Sequence, residues 1–256
     1  MNKEIEKFPV HIPQHQRSVD NTYYEELSAY FENSIGGTLD KLRSFTKYTP
    51  IAELNRFLAK NELFKKILNT HGNIIECGVF MGSGLMTWAN LSAIYEPLNH
   101  TRKVIGFDTF EGFVGVNDKD QGNYSNTNLV EKGLEVNSYD DLKKCIEIFD
   151  IYRPLGHIQK VELVKGDVTS TFNEFLEQNK HTLVALLYLD FDLYEPTKLA
   201  LKTFLPRMPK GSIIAFDELN QKFWPGETIA LLEEMNINNY KIERFTFQPQ
   251  ISYIVL

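Results

Sequence analysis

From residue 73 onward, short runs of apolar residues alternate with segments whose apolar positions recur every three or four residues. "NIIECGVF" is a continuous apolar run and predicts a buried strand; a glycine-containing turn follows, and then "LMTWANLSAIYE" at helical spacing. The unit repeats. "KVIGFD" predicts a second strand, with "YDDLKKCIEIF" as a helix after it, and "VELVKGD" a third, with "STFNEFLEQN". "TLVALLYLD" is the fourth, and its helix "EPTKLALKTFL" opens with Pro196 in an early-turn position. "GSIIAFDEL" is the fifth, followed by "GETIALLEEM". Strands rich in Val, Ile and Leu and separated by helices predict a mostly parallel sheet covered on both faces. The end departs from this rhythm: "YKIERFTFQ" and "ISYIVL" follow one another across a short turn containing Pro249, with no helix between them. That order requires an antiparallel hairpin at one side of the sheet, giving seven strands in all. Upstream, "IAELNRFLAKNELFKKIL" (51–68) has the spacing of an amphipathic helix. Residues 1–50 mix aromatics ("NTYYEELSAYFE") with turn residues ("NSIGGTLD") and contain no clean strand. They are expected to form a helical extension, a lid or a dimer contact, ahead of an α/β domain over 51–256.

Composition narrows the possible partners. A chain of 256 residues, 43% hydrophobic, is long enough for one α/β domain with an appendage and a sizeable core. Lys and Arg number 27 against 34 Asp and Glu, a net charge of −7, which argues against nucleic acid or an anionic membrane as a partner. The two cysteines, Cys77 and Cys145, offer neither a disulfide framework nor zinc spacing, and a reduced, cytoplasmic protein is expected. "MNKEIEKFPVHIPQ" has no apolar signal core, and no run approaches the roughly 18 residues needed to span a bilayer. The sequons at Asn90, Asn99 and Asn123 are then read as chance matches.

Five βα units followed by a hairpin is the order of the class I S-adenosylmethionine (SAM) methyltransferases, a Rossmann-like fold; an NAD-binding domain would continue with a sixth parallel strand. In such sheets ligands bind at the carboxyl ends of the strands, near the switch in strand order. The first turn there is "ECGVFMGSG", whose glycines at 78, 82 and 84 let the backbone approach a ligand and free a helix N-terminus to face it. Glu76 just before it would repel a pyrophosphate but suits the cationic amino group of SAM; alternatively it is a structural acid paired with a basic neighbour. Asp108, ending the second strand, suits the two hydroxyls of a ribose or a turn or N-cap role. Asp167, in "KGDVTST", suits an adenine amino group or the cap of the following helix.

The strands predicted fourth and fifth end in acids. Asp190 closes one, and Asp217 with Glu218 closes its neighbour, one αβ unit later. Three unpaired carboxylates brought together would raise one another's pKa values, and a hard divalent cation, Mg²⁺ or else Mn²⁺ or Ca²⁺, resolves the repulsion. Asp192 lies two residues beyond Asp190, placed to lean over the pocket and take the proton of an alcohol as its oxygen attacks a sulfonium methyl. Taken singly, Asp192 or Glu195 could instead cap the helix near Pro196, and Glu218 could be a surface acid.

Together, "ECGVFMGSG", "FDTFEGF", "KGDVTSTFNEFL", "LYLDFDLYEPTKLAL" and "GSIIAFDE" resemble the TylF/MycF-type macrocin O-methyltransferase family over about residues 70–256. Its members are Mg²⁺- and SAM-dependent enzymes that methylate sugar hydroxyls. The resemblance implies metal ligands at Asp190, Asp217 and Glu218, Asp192 as general base, and SAM contacts at Glu76, Gly78, Ser83, Asp108 and Asp167. The family commonly has Asp-Asp where this chain has Asp217-Glu218, and the extra methylene could shift the metal or leave Glu218 bound through water. Residues 1–50 and 113–137 do not align, and a substrate lid would lie there. The expected substrate is a small molecule or glycoside, and a homodimer or higher homo-oligomer is a further expectation. Within the same chemistry a catechol or other phenol is the alternative acceptor, with Tyr23, Tyr24, Tyr30, Tyr124 and Tyr194 available to stack on either ring. An NAD-dependent oxidoreductase would account for the fold and Asp108 but not for Glu76 or the acid cluster.

Overall fold

Seven strands form one sheet in the order β3-β2-β1-β4-β5-β7-β6. In chain order they are β1 Asn73–Cys77, β2 Val104–Asp108, β3 Val161–Lys165, β4 Val184–Leu189, β5 Ile213–Phe216, β6 Glu243–Arg244 and β7 Ser252–Val255. The first five are mutually parallel, and β7 runs antiparallel to both β5 and β6, as the missing last helix predicted. This computed structural model describes residues 18–121 and 129–256. Tyr124, the Asn123 sequon and the stretch read for a signal core lie outside the described residues.

The chain divides into two units, Met1–Leu54 and Asn55–Leu256. The first holds α1 (Ser18–Asn33), α2 (Thr38–Arg43) and the start of α3 (Ile51–Ile67). Within it the Tyr48 ring meets Phe31 edge-on at 5.1 Å and Tyr30 at 5.7 Å, and the Tyr48 and Ser34 hydroxyls are 3.0 Å apart. Tyr23 and Tyr24 pack against each other at 5.2 Å.

The second unit contains the sheet, with α4 (Ser83–Tyr95), α5 (Tyr139–Tyr152), α6 (Val168–Gln178), α7 (Tyr194–Phe204) and α8 (Gly226–Glu234). Successive strand residues face opposite sides, so one apolar run feeds two cores. Ile74, Leu186, Tyr188 and Ala215 pack with Leu63, Phe64 and Trp88 on one side. Ile75, Cys77, Leu187, Leu189 and Phe216 pack with Phe172 and Phe204 on the other. Of the segment read as "YKIERFTFQ" only Glu243 and Arg244 pair with β7, while Phe245 stacks on Tyr253 at 5.2 Å. A segment with a neighbour on one side only gains little from extending its ladder. Among the described residues no helix is long and apolar enough to cross a membrane.

The order reverses between β1 and β4, which pair in the register Glu76 to Tyr188 and Cys77 to Leu189. Here the backbone is close enough to demand glycine: Gly78 has φ +89°, and a Cβ on it would run into the Asp190 carbonyl. Gly78→Ala is expected to cost about 2–3 kcal/mol, read as a shift in the urea midpoint. An unchanged midpoint would mean that the two strand ends can separate freely.

Candidate active site

β4 and β5 are adjacent, with Leu189 opposite Phe216, so the residues after them emerge side by side. Asp190 N–H donates to the Cys77 carbonyl (2.8 Å) and Asp217 N–H to the Leu189 carbonyl (3.0 Å), which extends the ladder one step past each strand. Asp192 then turns the chain with φ of 63°, a left-handed conformation that aspartate tolerates better than most residues.

Asp217 is the buried centre of the group. Arg56 from α3 donates to Asp217 Oδ2 at 2.8 Å and lies 3.6 Å from Asp190 Oδ2. The Tyr188 hydroxyl donates to Asp217 Oδ1. Burial alone would raise the Asp217 pKa, but Arg56, Lys60 and the Tyr188 hydroxyl hold it below the usual carboxylate value. The other acids go the opposite way. Burial and then the charge of Asp217 push Asp190 up to about 7. Burial, with Asp190 and Asp217, also raises Asp192, and burial with Asp217 and Asp192 raises Glu218. Glu227, in the first turn of α8, is fully buried; its Oε2 accepts the Glu218 N–H at 3.1 Å and its Oε1 has no partner. The cations that oppose these acids most among the described residues are Arg56 and Lys60. Among the described residues no three His, Cys, Asp or Glu side chains are grouped so as to hold a metal ion together. Asp190, Asp217 and Glu218 lie at one sheet edge, but Arg56 and Tyr188 occupy the Asp217 oxygens.

Glu76 is buried on the α3 side of β1, with Oε1 3.7 Å from Lys60 Nζ and Oε2 without a partner. Lys60 Nζ also sits 3.4 Å above the centre of the Tyr188 ring. The first turn of α4 passes directly over this pair, since a Cβ on Gly84 would overlap the Glu76 carboxylate and come within 3.1 Å of Lys60 Nζ. Burial pushes Glu76 up to about 8 against the opposing charge of Lys60, whose own pKa burial lowers. An acid raised from its unfolded value near 4.5 to about 8 keeps a proton in the folded chain that the unfolded chain loses. Its contribution to stability is therefore lost as pH rises across that window. Glu76→Gln is expected to flatten the pH dependence of unfolding between pH 5 and 8 by on the order of 2–4 kcal/mol, measured by denaturant titration at several pH values. A slope equal to that of the unmodified chain would show that Glu76 is charged throughout.

Asp108 binds the turn after β1: its Oδ2 accepts from Val79 N–H (2.7 Å) and Phe80 N–H (2.8 Å), and its Oδ1 from Phe110 N–H (2.7 Å). Glu76, Gly78 and Asp108 therefore surround one turn. Ser83, exposed, opens α4 behind Gly82. Of the two readings of Asp167 the structure contains the cap, with Thr169 N–H donating to it at 2.9 Å. The Tyr194 hydroxyl is held by Glu233 (2.5 Å), Lys198 (2.6 Å) and Lys119 (2.8 Å).

Arg56, Lys60 and Glu227 were not anticipated from sequence. The first two had a signal: positions 56, 60, 63 and 67 form one helical stripe, and its buried members Leu63 and Ile67 put the two basic residues on the core-facing side. Glu227 had none, because an acid in a first helical turn is ordinary.

Comparison with known proteins adds a lineage to this geometry. A model of the macrocin-O-methyltransferase (TylF) family matches residues 54–232. Among solved structures, the calicheamicin methyltransferase CalS11 is 32% identical, with 94% of each chain covered and a TM-score of 0.89. An apo structure of CalS11, described as a TDP-rhamnose 3'-O-methyltransferase, is 31% identical over 94% of this chain and 96% of that one, with a TM-score of 0.80. The O-methyltransferase NovP, 19% identical over 79% of each chain with a TM-score of 0.60, shares the fold. No curated protein sequence matches the chain significantly.

Proposed function

The chain belongs to the TylF macrocin-O-methyltransferase family, and from that premise we propose that it methylates a hydroxyl of a sugar or glycosylated metabolite, with SAM as methyl donor and Mg²⁺ as cofactor. When bound, SAM supplies an electrophilic sulfonium methyl and the cation lowers the pKa of the acceptor hydroxyl. The observation that carries the reading is Asp192. Its carboxylate is half-buried, no hydrogen bond or ion pair engages it among the described residues, and burial with the charges of Asp190 and Asp217 raises its proton affinity above that of a free aspartate. A carboxylate whose proton affinity is raised is a stronger base than a free one. Asp192 takes the hydroxyl proton on its carboxylate as the acceptor oxygen gains the methyl group.

The residues present suit the methyl donor, and for a cation they supply oxygen donors that the described structure does not gather round one point. The unpartnered, buried Glu76 Oε2 is an acceptor suited to the donor's ammonium, and Gly84 lets the first turn of α4 pass directly over that carboxylate. Asp190, Asp217 and Glu218 are hard oxygen donors whose mutual repulsion leaves a deficit of positive charge, and in taking up a divalent cation Asp217 would exchange its bond to Arg56 for it. Likeness to a TDP-rhamnose methyltransferase makes nucleotide-linked sugars the first acceptors to try.

Methyl transfer from labelled SAM, screened over nucleotide sugars, surface polysaccharide precursors and glycosylated natural products, tests the acceptor class. Transfer to catechols alone would replace the sugar reading. Calorimetry tests the cofactor: S-adenosylhomocysteine is expected to bind and NAD not to, and the reverse result would remove the proposal altogether.

A further inference from the structure

The turn that carries Asp192 ends in an α-helix with no cap of its own. α7 begins at Tyr194, and the residue before it, Leu193, has no side-chain acceptor for the free N–H groups of the first turn. The acceptor comes from 74 residues upstream: Asp120 Oδ1 receives the Tyr194 N–H at 2.5 Å. Asp120 is completely buried, and its other oxygen takes the Asn117 N–H at 2.9 Å, so both oxygens bind backbone. The first residue of α8 closes over the bond, because a Cβ on Gly226 would lie 2.6 Å from both Asp120 Oδ1 and Tyr194 N. A second tie runs beside it, with Lys119 Nζ 2.6 Å from Glu233 Oε1.

We propose that Asp120 is a positioning residue for methyl transfer, fixing the Asp192–Tyr194 turn so that the Asp192 carboxylate stays in place. The proposal rests on the reading of Asp192 as base. Nothing among the described residues bonds the Asp192 side chain, so its location is set by its backbone alone, and that backbone is left-handed at Asp192 and anchored two residues later by Asp120. A base misplaced by an ångström loses about 10²-fold in rate without any change in the pocket walls.

The test is a double-mutant cycle on the full-length chain, in single-turnover assays with labelled SAM and the best acceptor from the screen. Asp120→Ala is expected to lower the rate by about 10- to 10²-fold with the acceptor KM changed less than about twofold. Asp120→Asn, which keeps the acceptor oxygen, is expected to recover most of it. In an Asp192→Asn background Asp120→Ala should cost nothing further, because its effect passes through Asp192. If the alanine variant does not fold, Asp120→Ser, too short to reach the Tyr194 N–H, takes its place. An Asp120→Ala variant with normal turnover beside an inactive Asp192→Asn would overturn the positioning role alone, as would losses that multiply in the double mutant. Normal turnover in Asp192→Asn would overturn the base itself.

Discussion

Asp192→Asn is expected to bind S-adenosylhomocysteine as the unmodified chain does and to lose about 10²- to 10⁴-fold in turnover. The amide has the size of the carboxylate and the same backbone preference in the left-handed region, so the turn at φ 63° is kept. What it lacks is the capacity to accept the acceptor's proton. Loss of activity through unfolding is separable, because the substitution should not destabilise the fold. The folded-state pKa of Asp192 is raised by burial and by Asp190 and Asp217, so the group contributes less to stability as pH rises above its unfolded pKa. The neutral amide removes that loss and one negative charge from beside Asp190. Thermal unfolding of the variant at neutral pH should therefore occur at or above the temperature of the unmodified chain. A variant that turns over at near-normal rate would remove Asp192 as base, and one that unfolds early would show that its charge is a structural need.

The sheet was legible because its signal is local and repeated. Each of the five parallel strands is a short Val-, Ile- and Leu-rich run, and the point where each run stops marks the carboxyl end. The pattern alone therefore assigns Asp108, Asp190 and Asp217 to one edge. The partners of those acids were not legible, because they come from far away in the chain. Arg56 meets Asp217 across 161 residues, and Asp120 caps a helix 74 residues on. Sequence spacing carries no information about such pairs, only about faces. Lys60 shows how near the information came: it lies in a stripe with Leu63 and Ile67, and its burial beside Glu76 follows once that stripe is taken literally.

Chelation by EDTA is expected to reduce methyl transfer by more than about 10²-fold, with recovery on adding Mg²⁺, while the chain stays folded. The site has an internal substitute for the missing charge. Arg56 donates to Asp217 at 2.8 Å and reaches toward Asp190 at 3.6 Å, so the two carboxylates at the strand ends are not left facing each other alone. Removing the guanidinium should reverse the balance. In Arg56→Ala the acids lose the guanidinium that Asp217 and Asp190 share, so thermal unfolding in EDTA should fall well below that of the unmodified chain and rise again with Mg²⁺, since a ligand that binds only the folded state stabilises it. The same variant should bind Mn²⁺ more tightly by calorimetry, because no bond to Asp217 has to be given up. Equal Mn²⁺ affinity in the two proteins would mean that Arg56 and the cation use different oxygens. Undiminished transfer in EDTA would remove the cation from the reaction and leave Arg56 as the lasting partner of Asp217.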